Sequence, residues 1–304
     1  MSSVSGPNEM EPTSTSLIGV LDYEPTMGAL RRIKRNARKI PLVWPLLRPI
    51  YRHISMRIRV DNIAMFHTGR CGSSVLGSLL DQHHKMFWAS EIFESLDPRC
   101  QALLDRQDGV RRVLVDSMYS RAAKCYGFET KFLSSQHLTP DRIDLTLEEY
   151  LSLLRGLGFS HFIVLRRKNL LRSLISTLIG LETKKWQNRE DSAPVHSIAM
   201  DVDTLFGEGS SSLLSYFRHV ETGHGALREL LRGDEVLFLS YEDDILDDPI
   251  TAYQKVCSFI GMQPMSPEIE FKRQNPFSLR QLVTNFEEVA LVLRKTGYEW
   301  MLDD

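Results

Sequence analysis

The residues of this 304-residue chain best suited to chemistry lie in one short run, Thr68-Gly69-Arg70-Cys71-Gly72-Ser73-Ser74. An apolar stretch over 58–66, interrupted at Asp61-Asn62, precedes it and predicts a buried strand. Val75-Leu76-Gly77-Ser78-Leu79-Leu80 follows with the apolar spacing of a helix beginning near Ser74 and ending near His83-His84. A strand, a glycine turn and a helix start point unpaired backbone N–H groups and the positive end of a helix dipole at one spot, which suits a phosphate or sulfate. Gly69 and Gly72 permit close backbone approach. Ser73 and Ser74 add hydroxyl donors, and Arg70 adds a fixed charge with a planar donor fork. The blander reading is an ordinary strand-to-helix turn, so a second site has to support the first.

Such a second site exists. Phe159 to Leu165 is short and apolar, the best buried-strand candidate, and it runs into Arg166-Arg167-Lys168-Asn169 and a helix over 170–181 that carries Ser173 and Ser176. Arginines at a strand end and a serine two or three turns into the next helix can grip a second phosphate from two directions. The alternative is a basic strand end that complements acidic neighbours. A third feature is Leu239-Ser240-Tyr241-Glu242-Asp243-Asp244-Ile245-Leu246-Asp247-Asp248-Pro249, followed by a helix to Phe259-Ile260-Gly261.

No lysine follows Gly72, so the kinase and GTPase pattern G-x-x-x-x-G-K-[ST] is absent, as is G-x-G-x-x-G. T-G-R-C-G-S-S resembles instead the 5′-phosphosulfate loop of sulfotransferases that use 3′-phosphoadenosine 5′-phosphosulfate (PAPS). Cys71 stands where many members have serine. The segment from Arg166 to Ser176 is similar to that family's 3′-phosphate-binding segment, and the segment from Tyr241 to Gly261 to its Y-E-D-L…D-P…F-L-G stretch. The three occur in family order across about residues 60–265. The resemblance implies PAPS as co-substrate, held by Thr68, Gly69, Arg70, Cys71, Gly72, Ser73 and Ser74, with Arg167 and Ser176 at the 3′-phosphate and Tyr241 as a further nucleotide contact. The interval from Arg167 to Ser176 is one residue longer than the commonest family spacing, which keeps Arg166 and Ser173 open as substitutes. Glu242 and Asp243 read as helix-start carboxylates. The family's C-terminal glycine-and-lysine loop is not recognisable; Lys272, Arg273 and Arg280 are candidates for its charge.

Sulfuryl transfer needs a base for the attacking hydroxyl and fixed positive groups for the developing charge. The resemblance implies Arg70 for the bridging oxygen and Glu91 for the base, since Ala89-Ser90-Glu91 is similar to the segment that carries the base in the tyrosylprotein and bacterial carbohydrate branches. Phe87, Trp88, Ile92 and Phe93 are expected to raise the Glu91 pKa. Glu94, a helical turn later, and His83 or His84 remain alternatives. No metal is implied. The expected reaction is transfer to a hydroxyl or amine of a small-molecule or carbohydrate acceptor, with Trp88, Trp186 and His196 either acceptor contacts or simply core. The rivals are a P-loop kinase with a degenerate loop and a non-catalytic sulfotransferase-like binding protein.

These residues have to be positioned by alternating strands and helices. Strand-like runs at 126–133 and 236–241, and helical ones at 147–157, 213–232 and 282–293, imply an α/β class: a P-loop-like three-layer fold with a mainly parallel sheet flanked by helices. One such domain is expected over 60–304, preceded by a disordered tail over 1–25 and a basic helical segment over 26–59. Residues 31–59 hold ten Lys or Arg and no acidic residue, a composition for either peripheral membrane contact or solvated helices. Net charge is −2, without a nucleic-acid signature. The four cysteines (Cys71, Cys100, Cys125, Cys257) form no C-x-x-C pair, and no signal peptide or apolar span of 18 residues is visible, so a cytoplasmic location is expected.

Overall fold

A computed structural model describes residues 46, 49–50, 53, 59–94, 107–121, 123–139, 142–190, 194–205 and 212–303. The chain divides into compact units at 1–51 and 52–304, and the second, described by itself, holds almost all of these residues. The tail over 1–25 and nearly all of the basic segment over 26–59 lie outside the described residues, as does Cys100. No helix among the described residues is long and apolar enough to cross a membrane.

Five parallel strands form the core of the second unit. They are β1 (Asp61–His67), β2 (Met86–Glu91), β3 (Cys125–Lys131), β4 (His161–Arg166) and β5 (Glu235–Ser240), in the order β2-β3-β1-β4-β5. The connecting helices are α1 (Ser73–Asp81), α2 (Gln107–Met118), α3 (Leu147–Gly156), α4 (Leu170–Thr183), α5 (Leu213–Leu230), α6 (Tyr241–Asp244), α7 (Pro249–Phe259), α8 (Leu279–Leu282) and α9 (Phe286–Leu293), with a 3₁₀ turn at Glu299–Leu302. This is the three-layer α/β architecture that the alternating pattern implies.

Alternation along the strands sorts the core into two layers. Ala64 and Phe66 of β1 with Tyr126 and Phe128 of β3 face one side, against Tyr150, Leu174 and Phe217 of α3, α4 and α5. Ile63 and Met65 with Cys125 and Trp88 face the other, against Leu76 and Leu79 of α1 and Tyr253 and Val256 of α7. Both layers are close to fully buried, and large-to-small changes here would cost about 2–5 kcal/mol each. On leaving β1 the chain moves towards β2, whereas β4 and β5 lie on the other side of β1. The ends of β1 and β4 therefore flank the crevice where open parallel sheets bind ligands.

Several elements differ from expectation. Asp61-Asn62 do not interrupt the strand but begin it, with the buried Asn62 amide donating to the Gly158 carbonyl at 3.0 Å. β5 is an edge strand whose Phe238 is 45 % exposed under the Arg228 guanidinium, not a buried one. The helix expected over 282–293 breaks at 283–285, because Val283 pairs with Ile198 and Asn285 bonds both ways to the Met200 backbone.

Gly127 of β3 lies directly beneath the Trp88 ring, and a Cβ there would overlap Cε3 and Cζ3. Gly127→Ala is therefore expected to displace Trp88, lower stability by about 1–3 kcal/mol and reduce the near-UV circular dichroism of the indole. Chemical denaturation and the spectrum check this; an unchanged midpoint would show that Trp88 has room to move.

Candidate functional site

Three left-handed residues shape the turn after β1: Gly69 (φ 91°), Arg70 (φ 54°) and Gly72 (φ 86°). Gly72 is the N-cap of α1; no side chain caps that helix and no carboxylate stands in its first turn. A Cβ at Gly72 would meet Ile245 Cγ2 at 2.9 Å and Tyr241 Cδ2 at 3.1 Å, so α6 packs directly on the loop. The outcome is an uncapped, positive helix end beside a bare backbone surface.

Arg70, Arg167, Ser176 and Tyr241, distant in sequence, converge here. Arg70 Nε donates to Ser176 Oγ at 2.9 Å, Nη1 to the Trp186 carbonyl at 2.7 Å and Nη2 to Gln274 Oε1. Arg167 Nη1 donates to the Arg70 carbonyl at 3.1 Å, and its guanidinium lies 4.5 Å from the Tyr241 ring centroid. Burial, followed by the neighbouring Arg167 charge, lowers the Arg70 pKa to about 10. Burial also lowers that of Arg167. Among the described residues every hydrogen-bond partner of Arg70 is neutral, and the buried Arg167 Nε has none. Two desolvated like charges without a directly bonded carboxylate form an anion-seeking site.

The substitutes separate. Arg166 is exposed, whereas Arg167 touches the loop; Ser173 Oγ donates to the Gly69 carbonyl at 3.2 Å, so both serines contact the loop. Glu242 accepts the Lys168 and Asn169 N–H groups at 2.8 and 3.1 Å, and Asp243 accepts from the Ser240 hydroxyl and the Lys168 ammonium, as helix-start carboxylates should. Cys71 is fully buried and burial pushes its thiol up to about 12, so it can offer the site only backbone. Thr68 offers its carbonyl to Gln136 at 2.8 Å. Arg280 is paired with Glu287, and Gln274 of the same segment accepts from Arg70.

Glu91 reaches the same sheet edge by a bulge. Trp88 pairs with Gly127 and Glu91 with Glu129, three residues against two, and Ser90 takes φ 52° to absorb the extra one. That turns Glu91 onto the face shared by His67, Glu129 and Lys131. Lys131 Nζ lies 2.8 Å from Glu91 and 2.6 Å from Glu94, and Arg142 lies 3.1 Å from Glu94. Burial alone would raise the Glu91 pKa, but the His67 ring edge and the Lys131 ammonium outweigh it, and Glu91 ends below the ordinary glutamate range. The upward shift expected from Phe87, Trp88, Ile92 and Phe93 is therefore reversed. Glu94 sits on the turn after β2 rather than a helix, and its bonds to His137 and Lys131 hold it far below the carboxylate range.

His83 and His84 end up at the opposite, N-terminal edge of the sheet, just before β2, where His83 accepts the Lys85 N–H at 3.2 Å; they are chain-turning residues, not candidates for the base. Trp88 is core, donating Nε1–H to Glu129 at 2.8 Å, and His196 pairs with Glu182. Trp186 is 44 % exposed and lies 5.9 Å from the Arg70 guanidinium, at the site's surface.

Two clusters have the composition of metal ligands: His67, Glu91 and Glu129, and Glu91, Glu94 and His137. Both histidines, however, use Nδ1 to accept a backbone N–H, from Gly69 at 3.1 Å and Lys131 at 3.0 Å. With Nδ1 accepting, each ring presents an N–H at Nε2, the nitrogen aimed at the carboxylates. Lys131 fills the space between Glu91 and Glu94. This donor set suits carboxylates held by N–H groups better than a divalent cation. His67, Lys131, Glu129 and Gln274 escaped the sequence reading, although charged residues two apart in the strand Tyr126-Gly127-Phe128-Glu129-Thr130-Lys131 share a face and were the available signal.

Two outcomes follow from this cage. Lys131→Met should move the Glu91 titration to higher pH, observable as the pH dependence of its side-chain carboxyl ¹³C shift; an unmoved midpoint would mean that the ammonium is not what holds it down. The folded-state pKa values of Glu91 and Glu94 lie below the ordinary 4.5, so their contribution to stability is present above that value and lost as pH falls below it. Urea midpoints measured downward from pH 5 should fall less steeply in Glu94→Gln than in wild type. No protein-family model matches the chain, and no curated protein matches its sequence.

Proposed function

We propose that the chain transfers a sulfuryl group from PAPS to an acceptor hydroxyl or amine, with Glu91 as general base. The carrying observation is the pair Arg70 and Arg167: desolvated, bonded to neutral acceptors or to nothing, and set beside the uncapped N-terminus of α1. A phosphosulfate at that terminus would meet loop N–H groups and the Arg70 fork, and Arg167, Ser176 and Tyr241 would serve the nucleotide's remaining groups. The resemblance of the three segments adds PAPS as the donor.

In the proposed step the acceptor oxygen attacks sulfur, the sulfur–oxygen bond to the phosphate breaks, and the acceptor proton passes to Glu91. Adenosine 3′,5′-bisphosphate departs with the negative charge, which Arg70 stabilises. Lys131 keeps Glu91 ionised beforehand; a bound anion that attracts Lys131 and adds negative charge nearby moves Glu91 back towards a stronger base. The acceptor proposed is a small molecule or glycan, and the location cytoplasmic. A degenerate P-loop kinase is the second reading, and it lacks the loop lysine.

Isothermal titration calorimetry with adenosine 3′,5′-bisphosphate tests the reading. Wild type is expected to bind, with Arg70→Ala and Arg167→Ala each weakening binding by roughly 10- to 100-fold, the loss of one charge-assisted contact. ATP should give no heat. Binding of ATP instead would favour the kinase. Nucleotide binding without ³⁵S transfer from labelled PAPS to any acceptor, in wild type as in Glu91→Gln, would favour a binding protein.

A further inference from the structure

Beneath the loop, the proposed mechanism leaves His67 and Glu129 unused. His67 is fully buried; its Nδ1 accepts the Gly69 N–H, and its Nε2–H has no hydrogen-bond partner among the described residues. That N–H lies between two carboxylates, 3.8 Å from Glu91 Oε1 and 3.6 Å from Glu129 Oε2. Glu129 is 2 % exposed, and its Oε1 accepts Trp88 Nε1–H, which leaves Oε2 to carry an acid proton. The His67 N–H is within hydrogen-bond distance of neither carboxylate, so a small movement of the ring or of a glutamate decides which one it serves.

We propose that Glu129 is a positioning residue that sets the base strength of Glu91 by competing with it for the single Nε2–H of His67. While Glu129 is a neutral acid, the edge of the His67 ring, unbonded and 3.8 Å from Glu91, acts on Glu91 electrostatically and helps keep it a weak base. When Glu129 releases its proton to solvent, Oε2 becomes an acceptor. It draws the His67 N–H away from Glu91 and places a second negative charge beside it, and both effects make Glu91 a stronger base. No covalent bond other than the Glu129 O–H changes. This inference rests on Glu91 being the base.

Burial, only partly offset by the Trp88 N–H and the Ser73 hydroxyl, raises Glu129 to about 7, so the exchange falls near neutrality; the Glu91 charge raises it further and the Lys131 ammonium lowers it. Burial holds His67 down to about 4 against the pull of Glu91 and Glu94, with Lys131 and His137 also lowering it, so the ring stays neutral throughout. The groups facing the pair from every packed element are thus Glu91 of β2, Lys131 of β3, Ser73 and Cys71 of the loop and α1, and Glu94 and His137 beyond the strand ends.

The test is a ¹³C titration of the glutamate carboxyls with ¹⁵N–¹H detection of the His67 ring, in the full chain without nucleotide. Wild type should show Glu129 titrating near 7, a matching second inflection in the Glu91 shift, and a His67 Nε2–H resonance that moves downfield over the same range. Glu129→Gln should abolish the second Glu91 inflection, and Trp88→Phe, which removes the donor to Oε1, should move it to higher pH. A Glu91 curve identical in wild type and in both variants overturns the proposal. Should Glu129→Gln fail to fold, the Trp88→Phe curve alone decides it. These titrations need no turnover. Failure to bind adenosine 3′,5′-bisphosphate would sink the sulfotransferase reading while leaving the titration result intact.

Discussion

Two arginines share one partly desolvated corner of the sheet, and the arrangement of the site follows from how that cost is met. Arg70 and Arg167 repel each other and lose hydration, yet the described partners of Arg70 are a hydroxyl, a carbonyl and an amide, and Arg167 leans on an aromatic face. Neutral dipoles soften the penalty without cancelling the charge. The nearby carboxylates are committed elsewhere: Glu242 to backbone N–H groups, Asp243 to Lys168 and Glu91 to Lys131. Positive charge is thereby left for an incoming anion, at a helix terminus with neither a side-chain cap nor an acidic first turn, which faces the crevice between β1 and β4.

A few ångströms along the same edge, charges of opposite sign are arranged in the reverse sense. Glu91, Glu94 and Glu129 are surrounded by Lys131, Arg142 and two histidines whose tautomers are fixed by backbone N–H groups. Neighbouring carboxylates are pushed apart in affinity for a proton: burial carries Glu129 up to about 7, while donors hold Glu91 and Glu94 down. Such separation of like groups by environment is a common way for one site to hold both a proton acceptor and a proton reserve. The bulge at Ser90 is what brings Glu91 into this company, since an unbulged β2 would place Ser90 opposite Glu129.

The sheet and the loop were legible in the sequence because each rests on local pattern. Apolar runs at 58–66 and 159–165, and leucines at helical spacing over 147–157, follow from burial on one or both faces. β5 looked buried because its leucines and phenylalanine resemble a core strand, and only the strand order reveals that it is an edge. The break at 283–285 depends on a pairing with Ile198, almost ninety residues away, that no local window contains. Arg70, Arg167, Ser176 and Glu91 were legible through motif resemblance, but their environment was not. Whether apolar neighbours or Lys131 would govern Glu91 depends on strand register and one extra residue, neither of which composition records. His67 and Glu129 looked like parts of two apolar strands, and only their pairing to Met65, Lys131 and Glu91 shows that they meet.

We propose the N-terminus of α1, with Arg70 and Arg167, as an anion site for a phosphosulfate donor. A crystal structure of the chain with adenosine 3′,5′-bisphosphate tests it most directly. The 5′-phosphate is expected within hydrogen-bond distance of the Gly72–Ser74 N–H groups and of Arg70, with Arg167 Nε newly partnered. A nucleotide bound elsewhere on the chain, with Arg167 Nε still buried and unpaired, would contradict it.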